Sequence, residues 1–402
     1  MDPSTSFDPE ILALPFYDDR HRRLAEAIGT WCDDRTARWD EVRAEDPDKA
    51  GLSLVRQLGE DGWLAFLEPG SDPEVRPGDF RAICLMREAL AYAEDLADFA
   101  FSIQALAATP LIRFGNDDQK LRYLPGMARG SLVGAFAVSE EQAGSDVAAV
   151  GLTAERTDDG GYLLNGHKAW IAHGTIADVY IVIARTGEGP GPLGLTAFLV
   201  PADTPGVRVG DRPVPIAPRS FAHLAFEDCR VPAEAVLGKP GRGFVIAMDL
   251  LERFRMTVGA AALGFARRAA DTALARARTR QVGGGLLIDH QLTKASLADM
   301  DVQLNASALL VARAAWEADR GSPRFARHSS IAKLHATEEA QRIVDTAVQL
   351  LGASGVMKDS VTERLYRQIR SLRIYEGTSE IMRLTIAGTL DTRRAARAAR
   401  DL

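Results

Sequence analysis

The feature that most constrains this chain is a double change of hydrophobic period. From residue 18 to about 127, apolar side chains recur at helical spacing, with Leu24, Ile28 and Trp31 on one face. The stretch "RAICLMREALAYAEDLA" is apolar on nearly every side, which predicts a buried helix. From Leu132 to about Gly238 the pattern shortens to runs rich in β-branched and aromatic residues: "LVGAFAV", "YLLNGHKAWIA", "DVYIVIAR", "GLTAFLV" and "AHLAFEDCRV". Asn165-Gly166 lies between two such runs and predicts a two-residue hairpin turn, whose positions both need positive φ. From Gly243 the helical period returns in "FVIAMDLLERFRMTVGAAALGFARRAADTALARARTR". Leu297, Met300 and Leu304 mark a second helix, Val344, Val348 and Leu351 a third, and Gly352 is placed to end it. The expected organisation is α+β: a helical region over 1–130, a compact β domain over 131–240 and a helical region over 241–402. At 402 residues the chain exceeds what one core usually holds. The tail "RRAARAARDL" reads as a solvated helix end.

Charge and cysteine usage exclude several function classes. With 48 basic against 55 acidic residues the net charge is −7, which argues against a general nucleic-acid binder. No apolar run reaches the roughly 18 residues that span a membrane. The start, "MDPSTSFDPEILALPF", has no basic region before an apolar run and does not read as a secretory signal. Cys32, Cys84 and Cys229 are far apart and match no metal or redox spacing, so they read as reduced thiols of a cytoplasmic protein. The six histidines from His167 to His335 show no metal-ligand grouping.

Three stretches carry candidate chemistry. "GPGPLG", Gly189 to Gly194, fits a dinucleotide-binding string but precedes a strand instead of opening a helix, so it reads as a hairpin loop. "FAVSEEQAGSDVAAV", Phe136 to Val150, runs from a strand into a loop bearing Ser139, Glu140, Gly144, Ser145 and Asp146. It is either a polar turn or a ligand loop at a strand end. "RIYEGTSEIMR", Arg373 to Arg383, sets Glu376 between an aromatic residue and a glycine, just ahead of a helix. Capping accounts for Thr378, Ser379 and Glu380 but leaves Tyr375-Glu376-Gly377 unexplained.

Taken together, "GNDDQKLRYLPGMARGSLVGAFAVSE", "AGSDVAA", "LNGHKAWI", "FEDCRVP", "LGKPGRGF", "LLIDHQL", "QLLGASG" and "IYEGTSEIM" resemble the motifs of the acyl-CoA dehydrogenase flavoproteins, in their order, over about residues 80–390. The resemblance implies a helical N-terminal domain, a central β-barrel domain and a C-terminal four-helix bundle. It implies non-covalent FAD and oxidation of an acyl thioester to a trans-2-enoyl thioester. Electrons would pass to an electron-transferring flavoprotein. The thioester would be carried by coenzyme A or by an acyl carrier protein, and the chain would work as a homo-oligomer, a tetramer or a dimer.

By the same resemblance Glu376 is the base for the α-proton, and its N–H is one donor to the thioester carbonyl. Tyr375 and Gly377 flank it on the substrate side, with Glu252, Arg255 and Ser145. Phe136, Val138, Ser139, Ser145, Trp170 and Ala172 match positions around the flavin. Arg280, His290, Gln291, Gln349, Gly352 and Ala353 match positions that hold the FAD phosphates and adenosine, some from a neighbouring subunit. Thr378 and Glu380 match further FAD contacts. Relatives that carry the base on the helix instead have it just before the arginine. Here that position is Phe254, and Glu252 lies about 200° around the helix from it.

Four features depart from the family pattern. Ala172 replaces a hydroxyl residue that donates to flavin N5, Gly283 replaces a phenylalanine, "SEEQ" stands for Thr-Glu-Pro, and "PIAPRSFAHLAF" is shorter than its family counterpart. A flavin oxidase or monooxygenase on the same fold, and a non-catalytic thioester binder, are the competing readings. The intact "YEG" weighs against a monooxygenase, Ala172 keeps oxygen reactivity open, and the retained base and FAD motifs weigh against the non-catalytic reading.

Overall fold

The computed structural model describes residues 6–68, 70 and 78–398 of the chain. The first five residues of the acidic start and residues 399–402 of the Arg/Ala tail lie outside the described residues. In chain order the helices are α1 Pro9–Leu12, α2 Asp19–Asp33, α3 Thr36–Ala44, α4 Pro47–Glu60, α5 Phe80–Ala93, α6 Asp95–Phe114, α7 Asp117–Ala128, α8 Gly243–Thr279, α9 Gln291–Asp319, α10 Phe325–Leu351, α11 Val361–Ile369 and α12 Ser379–Ala398. The strands are β1 Gly134–Ala137, β2 Thr153–Arg156, β3 Tyr162–Ala172, β4 Val179–Arg185, β5 Leu195–Pro201, β6 Val207–Val209, β7 Phe221–Val231 and β8 Val236–Leu237, with a small pair β9 Gln281–Val282 and β10 Gly285–Leu286. Helices therefore precede and follow a central β region, as the period changes imply. Among the described residues no helix is long and apolar enough to cross a membrane.

The chain forms two compact units. One contains residues 40–78 and 96–251, the other 1–39, 79–95 and 252–402. In the first, eight strands make one sheet in the order β6-β7-β3-β2-β4-β5-β8, with β1 parallel to β4. Strand β4 is buried over its first six residues, which is why it reads as a continuous apolar run and not an alternating one. Its core gathers Leu164, Tyr180, Val182, Phe198, Leu224 and Phe226. "GPGPLG" joins the antiparallel strands β4 and β5, as a hairpin loop should.

Asn165-Gly166 is not a turn. Strand β3 runs straight through it, and the pairing of β3 with β7 shifts register there. Asp228 N donates to Asn165 Oδ1 at 2.8 Å and Asn165 Nδ2 to Asp228 Oδ1 at 3.3 Å, which ties the side chain across the sheet. A Cβ on Gly166 would lie 3.0 Å from Leu152 Cα, so the glycine is needed for close approach at a bulge. The loop at Gly160, between β2 and β3, makes the turn instead.

His173 also belongs to this unit. It is fully buried, its ring edge-on to Phe99 with centroids 5.1 Å apart. Neither ring nitrogen has a hydrogen-bond partner among the described residues. Burial pulls its pKa down from 6.5 to about 3. The ring is neutral when folded and protonates readily when unfolded. Stability is thus complete above the unfolded value of 6.5 and falls as pH drops from there toward 3. At about pH 5 the loss is ~2 kcal/mol, at ~1.4 kcal/mol per pH unit. Urea unfolding at neutral pH and near pH 5 should show this loss in the wild type and not in His173→Phe. An equal loss in both would assign it to other groups.

In the second unit the segment read as one buried helix is two: α5 ends at Ala93, the capping residue Glu94 is extended with φ −157°, and α6 starts at Asp95. Helix α5 is buried over twelve of its fourteen residues, Arg81, Arg87 and Glu88 included. Small residues on α8 permit this. A Cβ on Gly264 would lie 2.2 Å from Glu88 O, and Arg267 Nε donates to Glu88 Oε1 at 2.7 Å. A Cβ on Gly259 would meet Val311 of α9 at 3.2 Å and Ala332 O of α10 at 3.3 Å, so three helices converge there. Helix α10 stops at Gly352, whose φ is 62°. All three cysteines are buried and none is in a disulfide.

Candidate active site

The unit that contains α10 and α12 holds Glu376. Tyr375 N donates to Ser371 O at 3.2 Å at the end of a single 3-10 turn, and the next two residues turn left-handed: Glu376 at φ 54° and Gly377 at φ 98°. A glycine accepts that conformation freely, whereas a glutamate there is strained and points to a use. Glu376 is half-buried, with its Oε2 shielded from solvent. Thr378 Oγ1 accepts from Ile381 N at 3.3 Å and caps α12, and exposed Glu380 lies in that helix's first turn.

Three cations surround the turn. Arg255 of α8 is buried, and a Cβ on Gly377 would lie 3.7 Å from its Nε. Burial lowers its pKa against the opposing charges of Glu252 and Glu376. Arg255 Nη1 donates to Ser330 Oγ at 3.4 Å. Lys333 of α10, 1 % exposed, sends its Nζ to Tyr375 O at 2.6 Å and also to Gly377 O. Arg373 binds Glu338 of α10 through Nε at 3.0 Å and Nη2 at 2.9 Å, and Ser379 Oγ donates to the same carboxylate at 2.5 Å. Phe254 packs edge-on to Phe80, centroids 6.1 Å apart, and is fully buried, while Glu252 is half-buried. The helix position of the alternative base is therefore apolar. Glu376, Tyr375, Gly377, Arg255, Lys333 and Thr378 are thus drawn together around one loop.

The remaining residues of this unit lie elsewhere along its elements. Arg280, His290 and Gln291 are exposed at the α8–α9 connection, where His290 Nε2 is 3.1 Å from Val282 O. Gln349, Gly352 and Ala353 are exposed at the end of α10. Gly283 sits at φ 58° in the β9–β10 turn, a conformation that a phenylalanine rarely adopts.

The β-rich unit holds the other candidates. Phe136 is buried at the end of β1, Val138 and Ser139 are half-buried just beyond it, and Ser145 is exposed. Ala169 N donates to Ser139 O at 2.9 Å, which fastens this strand end beside Trp170. Trp170 stands at a register shift of β3 with φ 55°, which turns the indole outward: it is 50 % exposed and edge-on to His223. A tryptophan of a buried strand would normally join the core. Ala172 ends the strand, half-buried. Beneath the loop lies a buried ion pair. Lys168 Nζ donates to Glu140 Oε1 at 2.7 Å and to Val138 O at 3.0 Å. The Glu140 carboxylate also accepts from Gly151 N, Leu152 N and Gln142 Nε2 at 2.8, 3.0 and 2.7 Å. Burial would raise its pKa, but Lys168 and the two N–H groups outweigh that and hold it low.

Lys168, Lys333 and Glu338 were not among the expected site residues. The signal for Lys333 was a lone lysine on the face of α10 that also carries Ser329, Ser330, Ala336, Thr337 and Ala340, all small and all buried.

Sequence models of the acyl-CoA dehydrogenase N-terminal, middle and C-terminal domains match residues 18–131, 135–229 and 241–390. The short-chain specific acyl-CoA dehydrogenase of Rattus norvegicus mitochondria is 38% identical over 344 residues, 84% of this chain and 82% of the relative. The butyryl-CoA dehydrogenase structure from Megasphaera elsdenii superposes with a TM-score of 0.85 at 31% identity, over 93% of this chain and 98% of that one. A glutaryl-CoA dehydrogenase from Mycobacterium smegmatis, solved in complex with FADH2, gives 0.82 at 28% identity over 93% and 95%. Three consecutive domain matches and a relative of this identity and coverage make the conclusion plain: the chain belongs to the acyl-CoA dehydrogenase family of oxidoreductases.

Proposed function

We propose that this protein removes the α-proton and β-hydride of a short-chain acyl-CoA to give the trans-2-enoyl-CoA, with Glu376 as the base. The observation that carries the reading is Glu376 itself: a carboxylate in a left-handed turn, one oxygen shielded, beside the buried Arg255. A proton α to a thioester is weakly acidic, so its removal needs a placed base and donors at the carbonyl oxygen. The Glu376 carboxylate takes the proton on an oxygen, and its own N–H serves as a donor. Gly377 leaves the loop narrow enough for the thioester to approach. The short chain length rests on the relatives.

The residues present suit FAD. Ser139 is joined to the β3 bulge, and the outward Trp170 beside it offers an apolar wall with hydroxyl and N–H groups, which a planar ring system can lie against. Arg280, His290, Gln291 and Gln349 offer cationic and amide donors of the kind that a pyrophosphate and adenosine use. When bound, FAD supplies the hydride acceptor. We assign electron transfer onward to an electron-transferring flavoprotein, the assembly to a homo-oligomer, and the location to the cytoplasm.

An anaerobic visible spectrum of the purified protein tests the reading. Butyryl-CoA is expected to bleach the flavin band faster than palmitoyl-CoA does. A band that no acyl-CoA bleaches would sink the acyl-CoA assignment in favour of a carrier-protein substrate or oxygen chemistry.

A further inference from the structure

We propose that Lys333 is the positioning residue of the catalytic turn: its buried ammonium ties together the carbonyls of Tyr375 and Gly377 and fixes the left-handed conformation from which Glu376 projects. The inference rests on the reading of Glu376 as the base.

The geometry is specific. The two carbonyls that Lys333 binds belong to the residues on either side of Glu376. Two consecutive residues of positive φ, Glu376 and Gly377, make the backbone fold back so that both carbonyls reach one point. A cation at that point is what keeps two carbonyl dipoles aimed at each other. Lys333 comes from the first half of α10, a helix packed against α9, α11 and α12, so the tether is rigid. The same helix grips the loop again at Glu338, which holds Arg373 and Ser379, so the whole stretch from Arg373 to Ser379 is set by α10. Neither residue has to touch the substrate for this.

Charge supports the geometry. Burial lowers Lys333 to about 8, the Glu376 carboxylate works against that fall and Arg255 works with it. The lysine therefore keeps its proton at neutral pH and faces the carboxylate as a cation. Among the described residues the charged groups around the turn are Glu252 and Arg255 from α8, Lys333 and Glu338 from α10, Arg373 before the turn, Glu376 itself, and Glu380 and Arg383 from α12, where Arg383 lies 4.0 Å from Glu338 and 3.7 Å from Glu380. Removing the Lys333 charge leaves Glu376 one cation fewer, which raises its pKa.

The test compares Lys333→Met, which removes both tether and charge, with Lys333→Gln, which keeps N–H donors and removes the charge. FAD content and thermal midpoint are recorded for each. The readouts are the rate of flavin reduction by saturating acyl-CoA, its pH profile, and exchange of the substrate's α-hydrogens with deuterated water. Lys333→Met is expected to lose about tenfold in both rates, within the range that positioning supplies. The acid limb of its pH profile should move up by about one unit. Lys333→Gln should recover part of the rate and keep the displaced limb. A merely structural lysine would lower the thermal midpoint and FAD content and leave the pH profile of the bound fraction in place. That result, or wild-type rates in Lys333→Met, would overturn the inference. Should Lys333→Met fail to fold, Lys333→Gln decides by the same pH profile. Glu376→Gln is measured in parallel. If it retains full activity, the base assignment itself fails. If it is inactive while Lys333→Met behaves as wild type, only the role of Lys333 fails.

Discussion

Glu376→Gln is expected to slow flavin reduction by a short acyl-CoA ~10²–10⁴-fold, the range that a placed general base contributes. The amide has nearly the shape of the carboxylate, so the turn, the Lys333 tether and the Arg255 contact should survive. What it lacks is an oxygen that can take a proton. The variant should therefore fold, hold FAD and bind acyl-CoA with little change, yet leave the flavin band unbleached in an anaerobic stopped-flow trace. Bleaching at close to the wild-type rate would show that another group takes the proton. Phe254 is apolar and turned onto Phe80, so that helix position offers none.

Glu140→Ala is expected to be the most destabilising single change in the β-rich unit. It strands the Lys168 ammonium, which is 1 % exposed, and removes the acceptor of two backbone N–H groups. Breaking a buried pair by deleting one partner typically costs about 3–5 kcal/mol, because the other charge is left in an apolar site. Urea unfolding measures the loss. Glu140→Gln with Lys168→Met, which removes both charges, should recover much of it. If Glu140→Ala unfolds like the wild type, the pair contributes nothing and its geometry is incidental. Lys168 also holds Val138 O, so on the proposed flavin site the single variant should lose FAD on dilution more readily than the wild type.

Much of this architecture was legible in the sequence, and the exceptions have physical causes. The run Tyr162 to Ala172 coincides with β3 because β-branched and aromatic residues bounded by turn residues leave few alternatives. Asn165-Gly166 misled because the same pair serves a turn or a bulge, and only the cross-sheet bond to Asp228 decides between them. Strands β2 and β6 are too short to stand out by pattern. Glu376 could be singled out from its neighbours. Its support could not. Lys333 lies 43 positions earlier, and a lysine in a helix defaults to solvent until tertiary packing buries it. Trp170 was ambiguous for the same reason: only the left-handed bulge turns it out of the core.

The three buried cysteines have a practical corollary. Burial pushes the thiols of Cys84 and Cys32 far above their ordinary value and Cys229 up to about 11. The thiolate is the species that alkylating reagents and peroxides attack, so each of these sulfurs is doubly shielded, by access and by protonation. A single cysteine placed on the surface, for example at Leu121, would then be the one reactive handle on the folded molecule. A spectroscopic probe could be attached there without first stripping the native thiols, and the bleaching experiments could be read alongside it in the same sample.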